Sequence, residues 1–457
     1  MLGLIVEDFA VAETGQEVYD FQTMTLTSAL AKLFVCASLF LLISAGCGVA
    51  TETSDGGPTD TAAAAGGSAG TGAAGADEDA GAAGGQGPDG PVAAGGMGGT
   101  NAGGGGSVAS GCARVAIAKA SRAFGMDILN PSPTFDYNAN LSALKDMGGS
   151  FQTLHLAWSS LEAAGAGMTS GAFSDPGEAL RVLNTLATAQ GIKLALTIRP
   201  VDIPGKTVPS DLASTRFNTA IMKTRFRKLL GFVLTRINVQ NLTTIMVGNE
   251  INFYNPGADT NFWTDYGDFL ADVRDYVHAS HPGLKVGFTA TYDGLTDATK
   301  TLALAKNSVK TMQDYAKRID VVGVTYYPLN ADFTVKPPSV VDGDFQRLVD
   351  FATTELHIQE IGYPSGAANG SSEPMQKQFY CEVFNAWDKH RNRIPQLAAL
   401  RMNDTARADA ESTAKTYGLA ANEAFIEYLR SLGLRRYTGE DKAAFTQLKA
   451  ALTARGF

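Results

Sequence analysis

Two glutamates stand at the ends of apolar stretches, where a side chain can reach a ligand. Leu242–Val247 carries no charge and consists of β-branched and long apolar residues, which is typical of a strand covered on both faces. Glu250 follows three residues later. Leu356–Ile361 is a second short stretch of this kind, with Glu360 near its end. Two carboxylates at the C-terminal ends of parallel strands can act as an acid and a nucleophile.

Such a pair needs one carboxyl that is protonated near neutral pH and one that is ionised. Two neighbouring carboxylates disfavour double ionisation, so the pKa of one of them rises. Once the ionised carboxylate is consumed in a covalent bond, the repulsion ends and the first group can activate water. Either glutamate alone could equally be a solvated loop carboxylate, and only the pair indicates cleavage of a glycosidic bond.

Both glutamates belong to a regular alternation of strands and helices. From about Cys112 to Phe457 the composition is globular, and the pattern predicts eight strands. These are Arg122–Ile128, Phe151–Trp158, Lys193–Arg199, Leu242–Glu250, Lys285–Ala290, Ile319–Tyr326, Leu356–Ile361 and Leu397–Met402. We therefore predict an α/β fold, a (β/α)8 TIM barrel, with the two glutamates on strands four and seven. A doubly wound open sheet is the alternative, although it usually begins with a Gly-rich turn that this sequence lacks.

Helices are predicted between the strands and after the last one. Their cues are apolar periodicity and end signals such as Asp175 and Pro176 before one helix and Gly191 after it. The predicted helices are Tyr137–Met147, Pro176–Gln190, Thr215–Ile237, Asn261–Ala279, Asp297–Arg318, Phe345–Thr353, Met375–His390, Ala420–Leu432 and Glu440–Thr453.

Three motifs resemble clan A of the retaining glycoside hydrolases, over about Arg122 to Phe457. They are Gly248-Asn249-Glu250, Tyr326-Tyr327-Pro328 and Glu360-Ile361-Gly362-Tyr363-Pro364. Within the clan, the first two motifs look most like the endo-β-1,4-galactanases, and the third is also similar to the β-1,3-glucanases. The resemblance implies a hydrolase that acts on a β-linked polysaccharide or oligosaccharide without a cofactor.

The resemblance also implies a role for each matching residue. Glu250 would be the acid/base and Glu360 the nucleophile. Asn249 would hydrogen-bond the 2-hydroxyl of the sugar. Tyr326, or alternatively Tyr327, would hold the nucleophile by a hydrogen bond.

The sequence departs from the clan at two strands. Many members carry an arginine on strand two, which here reads Phe-Gln-Thr-Leu-His-Leu-Ala-Trp. They also commonly place a tryptophan at the end of strand eight, where this chain has Leu400-Arg401-Met402-Asn403-Asp404. A carbohydrate-binding lipoprotein on the same barrel without turnover therefore stays an alternative, and transglycosylation is a third possibility.

Several further side chains are candidates for sugar contact. Aromatic rings stack on sugar faces, and Trp158, Tyr254 and Tyr292 each follow a predicted strand, as does Phe253. Arg199 ends strand three together with Asp202, and His155 lies on strand two. Packing in the core, or a surface ion pair for the arginine, is the alternative for each of them.

The charge and the histidines exclude other classes of function. The net charge of −9 and the absence of a cluster of Lys and Arg disfavour binding to nucleic acid. The five histidines form no zinc signature, and no EF-hand loop is found, so we expect no metal. A monomer is expected.

The first 111 residues predict that the protein is exported and that a flexible linker connects its anchor to the barrel. Residues 1–23 have no clear period and are a doubtful N-terminal extension. Residues 24–47 read as a signal peptide whose ending, Ser44-Ala45-Gly46-Cys47, resembles a bacterial lipobox, although Ser44 stands where an aliphatic residue is usual. Lipidation of Cys47 would anchor the chain to a membrane at the cell surface; cleavage and secretion is the alternative. The Gly/Ala-rich residues 48–111 are predicted to be a disordered linker.

Two cysteines remain in the predicted barrel. Cys112 precedes strand one and Cys381 lies in the helix after strand seven. In an exported protein such a pair suggests a disulfide, and two unpaired thiols are the alternative.

Overall fold

The computed structural model describes residues 116–129 and 132–457, and eight parallel strands form a closed barrel. They are β1 (Ala123–Met126), β2 (Phe151–Ala157), β3 (Lys193–Arg199), β4 (Leu242–Val247), β5 (Lys285–Thr291), β6 (Val321–Tyr326), β7 (Glu355–Ile361) and β8 (Gln396–Ala399). Each strand pairs with its neighbours in the chain, and β8 pairs with β1. The predicted (β/α)8 barrel is confirmed, and the open sheet is excluded. The predicted extension, signal and linker lie outside the described residues.

Helices surround the barrel and extend beyond β8. Those of nine residues or more are α1 (Tyr137–Asp146), α2 (Ala179–Gln190), α3 (Ala220–Leu234), α4 (Phe262–Ser280), α5 (Ser308–Ala316), α6 (Val341–Phe351), α7 (Glu373–Lys389), α8 (Arg407–Thr416), α9 (Glu423–Ser431) and α10 (Ala443–Thr453). The apolar faces of most of them pack on the outside of the strands in one large core, whereas α8 and α9 form a separate small cluster. No helix among the described residues is both long and apolar enough to cross a membrane.

Two predicted helical regions differ from the structure. The predicted helix Asp297–Arg318 is broken: a hairpin of Thr301–Leu302 and Lys306–Asn307 comes first, and only α5 is α-helical. Asn307 explains the late start, because its side chain accepts a hydrogen bond from the backbone N–H of Lys310 and caps α5. Helix α8 was not predicted at all, because its exposed, polar sequence buries only two alanines.

Side chains that alternate along the strands fill the barrel in layers. The bottom layer is apolar and contains Phe151, Ala195 and Ala398. Above it, Gln359 donates to Thr197 and accepts from Thr289, so three strands are joined by side-chain hydrogen bonds. The layer above this one opens into the mouth at the C-terminal ends of the strands.

The two ends of the described barrel are joined by buried charges. Asp388 on α7 bonds Arg122 just before β1 at 2.8 Å and Arg455 after α10 at 2.7 Å. The backbone N–H of Lys119 donates to the carbonyl of Arg455 at 2.8 Å. In the same helix, Cys381 is disulfide-bonded. Cys112 lies outside the described residues, so its pairing with Cys381 stays a prediction.

Candidate active site

Glu250 reaches the barrel mouth because the chain turns sharply after β4. Gly248 has φ of +85° and Glu250 has φ of +44°, so neither continues the strand, and the predicted strand end at Glu250 was three residues too late. The Glu250 side chain is largely buried. Its Oε1 accepts a hydrogen bond of 2.6 Å from the hydroxyl of Thr325 on β6.

Glu360 enters the same mouth through an irregularity in β7. The register between β6 and β7 slips between Val324 and Thr325, which adds one residue on the β7 side. Gln359 and Glu360 can therefore both point inward, where strict alternation would turn one of them out. Glu360 accepts a hydrogen bond of 2.6 Å from the hydroxyl of Tyr327, and its Oε1 lies 3.7 Å from Nε2 of His155.

The two carboxyls differ in the hydrogen-bond donors and charges that surround them. Burial, reinforced by the charge of Glu360, raises the pKa of Glu250 to about 8. Burial also raises the pKa of Glu360, but the Tyr327 hydrogen bond and the charges of Arg401 and Arg199 oppose this rise. Two adjacent carboxyls disfavour double ionisation, and the groups around Glu360 favour its ionised form, so the proton of a singly ionised pair belongs on Glu250.

A chain of polar groups from β3 and β4 borders the pair. Arg199 pairs with Asp202 at 2.5 Å, and the amide Nδ2 of Asn249 donates to the same carboxylate at 3.3 Å. Nε of Arg199 and Oδ1 of Asn249 are buried without a hydrogen-bond partner. Unpaired buried atoms of this kind are costly unless a ligand satisfies them. The predicted binding residues Arg199 and Asn249 thus lie together beside Glu250 and Glu360.

The arginine that strand two lacks has a counterpart one strand away. Residue His155 of β2 faces the mouth, and its Nε2 is buried without a hydrogen-bond partner. Burial, followed by the charge of Arg199, lowers the pKa of His155 to about 4, so the imidazole is neutral at physiological pH. The positive charge near Glu360 on the β2–β3 side of the mouth is therefore that of Arg199, at the end of β3.

The predicted role of Tyr326 was wrong, and its neighbour holds the nucleophile candidate instead. Tyr326 is fully buried on the helix side of β6, where its hydroxyl donates to Asp344 at 2.6 Å. Alternation explains the exchange: Thr325 and Tyr327 point into the mouth, so the residue between them points outward. Tyr327, the alternative considered above, bonds Glu360.

Three predicted sugar contacts lie mainly in the core. Trp158 is fully buried on the outer side of β2, and its indole N–H donates to Glu162. Tyr254 is buried against Phe262, with ring centroids 4.5 Å apart. Tyr292 donates its hydroxyl to Asp344 behind β6 and packs on Tyr326. The predictions for Trp158 and Tyr292 were wrong because both rings take the outward-facing positions that alternate with the inward ones of β2 and β5, and Tyr254 offers a ligand little surface.

Other residues at the mouth escaped the sequence analysis. Tyr417 and Tyr428 come from the segment with α8 and α9. The charges of Glu250 and Glu360 raise the pKa of both hydroxyls further after burial has raised it, so both rings lie near the carboxyl pair. Tyr428 also packs edge-on against Tyr327, at 5.5 Å. No strand pattern marks them, because they belong to an insertion rather than to a β/α unit.

One aromatic ring at the mouth is open to solvent. Phe253 follows Glu250 in a 3-10 turn, and 55% of its surface is exposed. An exposed ring three residues after the acid candidate is suited to stacking on a sugar.

Among the described residues, no group of three or more His, Cys, Asp and Glu side chains is arranged to hold a metal ion.

Comparison with known proteins supports the fold. No family model and no curated protein matches the chain significantly. Among solved structures, a variant of a GH5_18 protein from Streptomyces cattleya in complex with Manb1-4GlcNAc is 16% identical. It has a TM-score of 0.53 over 73% of this chain and 80% of that chain. A GH5_18 protein from Bifidobacterium longum subsp. infantis is 13% identical, with a TM-score of 0.52 over 73% and 78%.

A third structure is an exo-beta-1,4-mannosidase from Opitutaceae bacterium strain TAV5. It is 14% identical, with a TM-score of 0.52 over 73% of this chain and 59% of that chain, so the chain spans less than two thirds of its length. These structural neighbours are glycoside hydrolases with the same barrel. Structural similarity at such low sequence identity establishes the fold alone, so function has to be argued from the site.

Proposed function

We propose that this protein is a retaining glycoside hydrolase that acts on a β-linked polysaccharide or oligosaccharide. The observation that carries the proposal is the pair of buried carboxyls at the barrel mouth, Glu250 after β4 and Glu360 on β7. Burial and the charge of Glu360 favour the protonated form of Glu250, whereas the hydrogen bond from Tyr327 favours the ionised form of Glu360. The β-1,4-galactans and β-1,3-glucans that the sequence resemblance suggests are the first substrates to try.

The reaction takes two displacements. In the first, a carboxylate oxygen of Glu360 attacks the anomeric carbon while the glycosidic C–O bond breaks, and protonated Glu250 gives its proton to the departing oxygen. In the second, Glu250, now ionised, takes a proton from water. The water oxygen attacks the anomeric carbon, and the bond to Glu360 breaks.

The hydrogen bonds at the site suit this division of labour. The Tyr327 hydroxyl stabilises the ionised nucleophile and the leaving carboxylate of the second step. Thr325 orients Glu250 without adding a charge. Asn249, whose Oδ1 has no partner, is available for a sugar hydroxyl next to the cleaved bond. Phe253, Tyr417 and Tyr428 offer ring surface where strand eight supplies none.

The test is hydrolysis by the full chain of a panel of β-linked glycans, with Glu360→Gln and Glu250→Gln as variants. We expect Glu360→Gln to lower kcat by about a thousandfold or more, and Glu250→Gln by about a hundred- to ten-thousandfold. Product release with retained anomeric configuration, read by NMR, supports the covalent route. Inverted configuration contradicts it.

Glu355→Gln is the matched control, because Glu355 stands on the same strand at the opposite end, bonded to Lys285 and His357. Its activity should equal that of the parent. If the parent binds a glycan but cleaves none, the alternative of a carbohydrate-binding protein replaces the proposal. A parent that mainly extends its substrate is a transglycosylase with the same two carboxyls.

We also propose that the protein is exported and anchored through a lipid on Cys47. This proposal rests on the signal-like residues 24–47 of the sequence. In a bacterial host, the parent should incorporate labelled palmitate and Cys47→Ser should not. Labelling of the variant at the level of the parent would contradict the proposal.

A further inference from the structure

Arg401 projects into the mouth from the loop that follows β8. Its position is fixed from two sides, since Nη1 donates to the hydroxyl of Thr405 at 2.8 Å and its carbonyl accepts from the N–H of Leu434 at 3.0 Å. Its charge opposes the rise in the pKa of Glu360, so the guanidinium lies near that carboxyl. The guanidinium is therefore a preset cation beside the carboxyl that we propose as nucleophile.

One edge of this guanidinium has no partner. Nε of Arg401 is buried without a hydrogen bond, and no carboxylate of the described chain lies within 4.0 Å of its nitrogens. The edge formed by Nε and Nη2 is the one that binds a carboxylate with two parallel hydrogen bonds. Because Thr405 occupies Nη1, this edge is the part of the side chain left for a ligand.

Neighbouring cations are neutralised, which makes Arg401 unusual. Arg199 pairs with Asp202, Lys442 with Asp404 at 2.7 Å, and Arg430 with Glu427 at 2.7 Å. Glu360 is the nearby anion, but no carboxylate of the described residues is bonded to the Arg401 guanidinium, and a partly buried charge without a bonded anion is unfavourable unless an anion arrives to pair with it. A neutral sugar does not require such a charge, since its hydroxyls are satisfied by uncharged donors.

We propose that the sugar unit bound against Glu360 is a uronic acid, whose carboxylate pairs with the free edge of Arg401. The proposal rests on the proposed function and specifies its substrate. A uronate entering this mouth meets the negative charges of Glu360 and Asp202, and Arg401 supplies the attraction that offsets them. The same side chain would then distinguish acidic from neutral glycans by one charge-assisted contact.

The experiment compares β-1,4-linked oligosaccharides that differ only at C6. The two pairs are oligomannuronate against oligomannoside and oligoglucuronate against cello-oligosaccharide. We expect the full chain to prefer the acidic member of one pair by about tenfold or more in kcat/KM. Arg401→Gln should lose about ten- to hundredfold on that acidic member, the range for one hydrogen bond to a charged group, and only a few-fold on the neutral one. Arg401→Lys should restore part of the loss.

Other outcomes contradict the uronic acid while leaving the proposed function intact. If neutral glycans are cleaved as well as acidic ones, or if Arg401→Gln affects both members equally and shifts only the acidic limb of the pH profile, Arg401 merely tunes Glu360. A preference for a 6-sulfated oligosaccharide over the uronate also contradicts it. If no glycan of the wider panel is cleaved, calorimetric titration with D-glucuronate and D-mannuronate decides: absence of binding, with the matching neutral sugars as controls, refutes the proposal.

Discussion

Adjacent tyrosines on β6 show how much depends on the direction of a single side chain. Tyr326 and Tyr327 have the same chemistry and neighbouring positions, yet one bonds Asp344 among the helices and the other bonds Glu360 in the mouth. Alternation along a strand separates them completely. The sequence left both tyrosines open, because the inward direction of Thr325, which fixes that of Tyr327, is seen only in its hydrogen bond to Glu250.

Tyr326 serves as a control for the role of Tyr327. Tyr327→Phe removes the donor that stabilises ionised Glu360, so we expect kcat/KM to fall by about tenfold and the acidic limb of the pH profile to move to higher pH. Tyr326→Phe should leave the pH profile unchanged, although it loses a buried hydrogen bond. Kinetics from pH 4 to 9 on any cleaved glycan check both. Equal shifts in the two variants would contradict the assignment of Tyr327.

Glu250 should lower the stability of the protein as the pH rises. Its folded-state pKa of about 8 lies above its ordinary value of 4.5, so its stabilising contribution is complete below pH 4.5 and is lost as the pH rises through 8. Glu250→Gln removes this loss. We expect the variant to have a Tm above that of the parent at pH 8 to 9, with a smaller gap at pH 5.

Glu355, whose pKa is lowered rather than raised, should change the dependence of Tm on pH in the opposite direction. Bonds from His357 and Lys285 outweigh burial and lower the pKa of Glu355 to about 2, so its contribution is present above pH 4.5 and is lost as the pH falls through 2. Glu355→Gln should therefore lower Tm at pH 5 and above. Curves of Tm against pH with the same sign for both variants would refute the argument.

At the scale of elements, the turn after β4 determines where the acid candidate lies. A Cβ on Gly248 would stand 2.4 Å from the hydroxyl of Tyr266, which donates to the carbonyl of Val247 at 3.1 Å. The position also has φ of +85°, which costs an ordinary residue about 1–2 kcal/mol. The glycine is thus required both by the backbone and by a close approach.

Gly248→Ala should therefore cost more than the backbone term alone, roughly 2–4 kcal/mol of unfolding free energy in urea. Gly191→Ala is the control, because Gly191 after α2 has φ of +72° and open space around an added Cβ. We expect about 1 kcal/mol there. Equal losses at the two sites would show that the contact with Tyr266 is unimportant.

The apolar periodicity of the sequence predicted the repeating strands of the barrel. It missed features added to that repeat, such as the bulge in β7 and helix α8. All eight strands were found, because a buried parallel strand is a compact apolar run between turn signals. The bulge at Gln359 and Glu360 was not visible, since one extra residue leaves composition unchanged. Helix α8 has a polar sequence, and its contribution to the mouth depends on tertiary packing that local pattern does not encode.

At the scale of the whole molecule, Asp388 joins the first and last described segments. Removing it leaves Arg122 and Arg455 buried, each without its carboxylate. We expect Asp388→Ala to lower the unfolding free energy by about 3–5 kcal/mol, as for other broken buried ion pairs. Urea unfolding of the full chain measures the loss.

Asp314→Ala is the surface control for that experiment. Asp314 pairs with Lys317 at 2.8 Å, with both side chains half exposed or more. Its removal should change the unfolding free energy by less than about 0.5 kcal/mol. A loss at Asp388 as small as this would show that the charged cluster contributes little to the fold.

The barrel and its carboxyl pair were predictable from sequence, whereas the charge balance of the mouth was not. Glu250 and Glu360 are marked by strand ends and motifs. Arg401 comes from the loop after β8 and Arg199 from β3, and their distances from Glu360 depend on how the barrel closes. The same limit applies to Tyr417, whose ring reaches the mouth from an inserted segment.

The hydrogen bond between the backbones of Lys119 and Arg455 brings the two ends of the described barrel together. Since β8 pairs with β1 as each strand pairs with the next, no unit is structurally first. Consider a circular permutant in which the segments of Lys119 and Arg455 are covalently joined and translation begins in an exposed loop between two helices. We expect this permutant to form every strand pairing of the present barrel. The order in which the units are numbered therefore depends on where translation starts, and the closed barrel does not require that starting point.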